Sequence, residues 1–130
     1  MARNALRMLV GLGGVLVLGT GFAATAAKGA ADFRSDCATC HGVEGRGNGP
    51  MAKVLAIPPR DLTQLGAGEA FPYQRVYKTI DGRDLPLAHG TREMPIWGER
   101  YKPALGALGE EKLHQRIDAL VNYLKTLQRS

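Results

Sequence analysis

The chain has 130 residues and a formal net charge of +5, a length that holds one domain and excludes two ordinary ones. Its 17 basic residues are scattered among 12 acidic ones, so no continuous cationic track for nucleic acid is present, and the surplus suits at most the steering of an acidic protein partner. The two cysteines, Cys37 and Cys40, stand three positions apart; a bridge closing so short a loop removes little unfolded-state entropy, which argues against a purely stabilising disulfide.

The N-terminus does not read as domain material. Met1 to Arg7 carries Arg3 and Arg7 with no acidic residue, and Met8 to Ala27 is an uncharged run rich in Leu, Val and Gly that ends in small residues. This three-part layout predicts an export signal, and Ala24-Thr25-Ala26 sets the expected cut before Ala27. Residues 1–26 are then a signal peptide and 27–130 the mature domain, exported to the periplasm. The competing reading is an uncleaved anchor, since the run approaches the roughly 20 residues that span a bilayer. Glycines at positions 11, 13, 14, 19 and 21 weigh against it.

From Ala27 to Cys40, Ala30, Phe33 and Cys37 recur at three- and four-residue steps and predict one face of a short helix. That helix leads into Cys37-Ala38-Thr39-Cys40-His41, the spacing that attaches a c-type haem. Each sulfur can add to one vinyl group of the porphyrin, and His41 can then give a ring nitrogen to the iron. A thioredoxin-like dithiol would expect strands around the cysteines. A zinc site would need a fourth ligand, and the chain has no third cysteine.

Gly42, Gly45, Gly47 and Gly49 predict a close-fitting loop from Gly42 to Pro50. Met51 to Ile57 is expected to form a helical turn or two before Pro58-Pro59 stops it. Pro72 suits the first turn of another helix, in which Tyr73, Val76, Tyr77 and Ile80 share a face until Gly82. Asp84 to Lys102, punctuated by Pro86, Gly90, Pro95 and Gly98, reads as an extended loop. The last element is the clearest: Leu113, Ile117, Leu120, Val121 and Leu124 form a stripe at helical spacing, with Glu110 and Glu111 at its start and Lys125 and Arg129 at its end. No run alternates with the two-residue period of a strand, so the fold class is all-α.

A small chain with few aromatics has limited material for a core, and a large apolar ring gives short helices a common surface to bury against at about 25 cal/mol per Å². His41 fills one axial position of a haem iron and leaves the other open to a second donor. The candidates are Met51, Met94, His89 and His114. Met94 lies in Arg92-Glu93-Met94-Pro95-Ile96-Trp97-Gly98, where proline restricts the backbone and the thioether is presented with little freedom. Met51, close behind His41, reads as packing; His114, beside Gln115, reads as solvent-facing; His89 is the main competitor. Ligation by His41 and Met94 closes the iron and raises its potential relative to two imidazoles, which suits a one-electron carrier and not an enzyme. An open iron face would instead suit a peroxidase or a gas sensor.

Taken together, Gly29 and Phe33 before Cys37-x-x-Cys40-His41, Gly49-Pro50 after it, Met94-Pro95-Ile96-Trp97-Gly98, and Leu120 and Tyr123 in the last helix resemble the class I cytochromes c, and in particular the single-haem bacterial periplasmic members, including cytochrome subunits of periplasmic dehydrogenases. The resemblance implies short helices wrapped around one haem c, bonded covalently through Cys37 and Cys40 and ligated by His41 and Met94. It also implies that the first and last helices cross at Gly29, Phe33, Leu120 and Tyr123, and that the carbonyl of Pro50 receives the other ring nitrogen of His41. Implied partners are redox proteins: dehydrogenases, oxidases or other cytochromes. A membrane enters only if the N-terminal segment stays uncleaved. Arg46, Arg60, Tyr73 and Trp97 are candidates for the haem propionates, with surface or packing roles as the alternative.

Overall fold

A computed structural model describes residues 20–83 and 93–129. The described residues form five α-helices: α1 (Thr20–Asp36), α2 (Ala38–His41), α3 (Tyr73–Asp81), α4 (Trp97–Tyr101) and α5 (Gly109–Thr126). Short 3₁₀ helices lie at Pro50–Lys53, Leu62–Gln64 and Lys102–Leu108, and no strand occurs among the described residues. This is the all-α architecture that the resemblance implies.

The frame is the crossing of α1 and α5. The α5 stripe buries as its spacing predicts, with Leu113, Ile117, Leu120, Val121 and Leu124 each at most 4 % exposed. At the crossing a Cβ on Gly29 would lie 2.0 Å from the carbonyl oxygen of Ala119, so only glycine lets the two backbones approach this closely. One helical turn on, Phe33 is buried and its ring centroid lies 5.3 Å from that of Tyr123, a tilted aromatic pair. Both contacts are those the resemblance implies.

Two elements differ from expectation. The first helix starts at Thr20, ahead of Ala27, and does not run unbroken to Cys40: Cys37 is a turn residue, and α2 starts after it. The His41 N–H closes that turn on the Cys37 carbonyl at 2.9 Å. Within the expected loop Asp84–Lys102, residues 84–92 lie outside the described part, but Trp97–Tyr101 is helical. Trp97 and Tyr101, four residues apart, are both buried and pack ring to ring at 5.2 Å. Tertiary burial of this pair overrides the weak local preference of a segment flanked by Pro95 and Pro103.

Side chains tie the remaining pieces to α5. Val76 and Ile80 of α3 enter the core, while the Tyr73 hydroxyl donates to Asp118 at 2.8 Å and the Tyr77 hydroxyl meets Nδ1 of His114. Asp61 caps the Leu62–Gln64 turn, accepting from the N–H of Thr63 at 2.8 Å and from its hydroxyl at 2.6 Å. The chain end closes over this turn: Gln128 bonds the N–H of Leu65 and the carbonyl of Leu62, and Arg129 reaches Thr63 and Asp61. Among the described residues no helix is long and apolar enough to cross a membrane.

Candidate haem site

Between these elements lies a cavity of about 620 Å³, within the range of cofactor and small-molecule sites. Cys37, Cys40, His41 and Met94 all line it. Its remaining surface is largely apolar, supplied by Phe33, Leu62, Leu65, Val76, Ile80, Trp97, Leu120 and Leu124. The covalent-attachment motif and the distant methionine therefore meet at one space.

The donors are chemically suited to a haem. His41 Nδ1 donates to the carbonyl of Arg60 at 3.1 Å, which fixes the tautomer and leaves Nε2 with its lone pair free for a metal. Burial lowers the imidazole's pKa, opposed in part by that hydrogen bond, so the ring is neutral at pH 7. Cys37 and Cys40 are free and half-buried. Burial, with the carboxylates of Asp36 and Asp32 adding to it, pushes the Cys37 thiol up to about 12. A dithiol oxidoreductase needs the opposite, a depressed pKa on its nucleophile. No group of three or more His, Cys, Asp or Glu side chains among the described residues could hold a bare metal ion. The residues present fit a flat apolar tetrapyrrole with thioether anchors.

The carbonyl that receives His41 belongs to Arg60, not to Pro50. Pro50 instead opens an exposed 3₁₀ turn, while Pro58-Pro59 carries Arg60 back beside the imidazole. A Cβ on Gly47, whose φ is +75°, would lie 2.3 Å from the carbonyl oxygen of Pro59, so this return depends on glycine there. The other rival donors separate clearly. Met51 is 42 % exposed and contributes nothing to the cavity lining or the core, contrary to the packing role expected of it. His114 is exposed, as expected, and stacks against Tyr77. His89 lies outside the described residues. Met94 is partly buried against the core.

Of the four propionate candidates, Arg60 and Trp97 line the cavity. Arg46 pairs with Glu44 at 2.9 Å and Tyr73 is engaged by Asp118. Arg75 and Thr79 also line the cavity; their signal in the sequence is a spacing of four beside buried Val76 and Ile80. Asp36, which no sequence pattern marks, lines the cavity next to Cys37 and anchors a network. The Tyr101 hydroxyl donates to Asp36 at 2.8 Å, and Arg116 bridges Asp36 at 3.1 Å and Asp32 at 3.0 Å. The Arg116 guanidinium also lies 3.7 Å from the Tyr101 ring centroid, a cation–π contact. Burial and the Asp36 bond hold the Tyr101 hydroxyl far above the usual phenol range.

No curated protein and no solved structure matches the chain. The family model described as cytochrome c matches residues 26–128, a span that includes both cysteines, His41, Met94 and the α1–α5 crossing. With an all-helical frame around a cavity suited to covalently bound haem, the chain belongs to the cytochrome c family of haem-based electron-transfer proteins.

Proposed function

We propose that the chain is an exported, periplasmic carrier of single electrons. It holds one haem c through thioether bonds from Cys37 and Cys40, with His41 and Met94 as axial ligands. It works between larger redox proteins, either freely diffusing or as the cytochrome subunit of a periplasmic dehydrogenase. The observation that carries this reading is that Met94, far along the chain from the attachment motif, lines the same apolar cavity as Cys37, Cys40 and His41.

When bound, the haem supplies reversible one-electron exchange at its iron. The chain supplies the setting. The Arg60 carbonyl orients His41, the apolar walls keep water away, and the Met94 thioether favours the reduced metal and raises its potential. Two protein donors leave no open position for a substrate, which supports a carrier and not an enzyme. Export rests on the basic, apolar and small-residue order of residues 1–26.

Mass analysis and optical spectra of protein matured in a host that attaches haem test the reading. One added tetrapyrrole mass, a chain beginning at Ala27, and a far-red sulfur-to-ferric charge-transfer band that disappears in Met94→Ala are the expected results. A band indifferent to that substitution rejects Met94 and directs attention to His89. A five-coordinate spectrum in the parent protein favours a peroxidase or gas sensor.

A further inference from the structure

Glu93 precedes Met94 and is exposed, yet its carboxylate is fully engaged. Oε1 accepts the N–H of Ala56 at 2.8 Å and Oε2 accepts the N–H of Ile57 at 3.1 Å. Two successive backbone donors on one carboxylate form a charge-assisted fork, and they come from a segment with a second function. Residues 56–60 run through Pro58 and Pro59 to Arg60, whose carbonyl accepts from Nδ1 of His41. The two prolines fix φ and leave this segment little freedom to absorb a displacement. Its far end is seated as well, with the Pro59 carbonyl against Gly47 and the Leu62 N–H on the Gly45 carbonyl at 2.6 Å.

We propose that Glu93 is a positioning residue for Met94, acting through a strap of residues 56–60 whose other end orients His41. This rests on Met94 as the axial donor. The backbone of Met94 is pinned on both sides: before it by the Glu93 fork, and after it by Pro95 and the buried start of α4 at Trp97. The strap also walls the cavity, since Ile57, Pro58, Pro59 and Arg60 line it together with Glu93 and Met94. One short piece of backbone thereby sets the distance between the two donor side chains. Loss of the fork loosens the methionine while leaving the thioether anchors and the core intact.

The test is imidazole competition on the ferric holoprotein, followed in the far-red band, for the parent, Glu93→Ala, Glu93→Gln, Glu99→Ala and Met94→Ala. Glu93→Ala is expected to lower the imidazole midpoint by about tenfold, equivalent to about 1.4 kcal/mol. Glu93→Gln keeps one acceptor oxygen and falls between. Glu99→Ala removes the same charge from an exposed position on α4 and stays within about twofold of the parent. The His41 Nδ1 proton exchanges faster in reduced Glu93→Ala than in the parent. Equal midpoints for Glu93→Ala and parent, with a band that Met94→Ala abolishes, overturn the role of Glu93 and leave the axial assignment standing. A band that survives Met94→Ala removes the axial assignment itself. An unchanged exchange rate in Glu93→Ala overturns transmission through the strap.

Discussion

Replacing Gly29 by alanine should destabilise the protein although alanine is the better helix former. In an exposed helix interior the change would add about 1 kcal/mol of stability. Here the new Cβ would stand 2.0 Å from the Ala119 carbonyl oxygen, 2.5 Å from its carbon and 3.0 Å from the Tyr123 Cβ. A tolerable C···O contact needs about 3.3 Å, so α1 and α5 must part by roughly 1 Å at their crossing. A gap of that size forfeits about a quarter to a half of each dispersion contact it opens, and the pairing of Phe33 with Tyr123 lies one turn away. Overpacking against backbone, which cannot rotate aside, costs about 3 kcal/mol. After the propensity gain the net loss is about 2 kcal/mol, or roughly 10 °C in Tm for a domain of this size. Urea and thermal unfolding of the holoprotein by far-UV circular dichroism measure it. Ala31→Gly, on the exposed face of the same helix, provides the propensity reference and should lose about 1 kcal/mol. A Gly29→Ala protein as stable as the parent or more so would refute the close-approach argument.

Arg116→Leu takes the shared cation from Asp32 and Asp36, whose side chains are only 15 % and 23 % exposed, leaving them Lys28 and the Tyr101 hydroxyl respectively, and removes the guanidinium from the face of Tyr101; a loss of about 2 kcal/mol is expected in urea unfolding, and a change below about 0.5 kcal/mol would show the network to be neutral. Asp61 has its carboxyl pKa lowered from 3.8 by hydrogen bonds from the Thr63 hydroxyl and N–H, with Arg129 nearby. A depressed folded pKa stabilises above the unfolded value and that contribution fades as pH falls through the folded one. The urea midpoint of the parent should therefore drop more steeply below about pH 4 than that of Asp61→Asn, and parallel acid limbs would contradict this. Protein carrying Cys37→Ser and Cys40→Ser, matured without haem, leaves the large apolar cavity open to water; it should bind ANS and lose near-UV dichroism, whereas a cooperative thermal transition equal to the holoprotein's would rule out the ring as part of the core.

The sequence was most legible where one local pattern decides the outcome. The α5 stripe from Leu113 to Leu124 needs only helical periodicity, and Gly29, Phe33 and Tyr123 declare the helix crossing once the resemblance is drawn. Helix α4 was not legible: Pro95, Gly98 and Pro103 read as loop, and only the burial of Trp97 with Tyr101 makes the turn helical. The resemblance assigns the support of His41 to Pro50, and nothing local marks the backbone carbonyl that takes its place; Arg60 is brought there by a loop path that depends on Gly47 meeting Pro59. Glu93 carries no local signal for the same reason, since both of its partners are main-chain amides. Met51 reads as packing from its place close behind His41, yet its turn lies on the surface.

The pairing of α1 with α5 also sets when the fold can close during synthesis. The first helix finds its partner only after residues 109–126 have been synthesised, because the residues it packs on lie in α5. Until then Cys37, Cys40 and His41 belong to a segment with no stable tertiary neighbour. Before α5 docks on α1, both thiols are thus open to an incoming tetrapyrrole, and its docking encloses them.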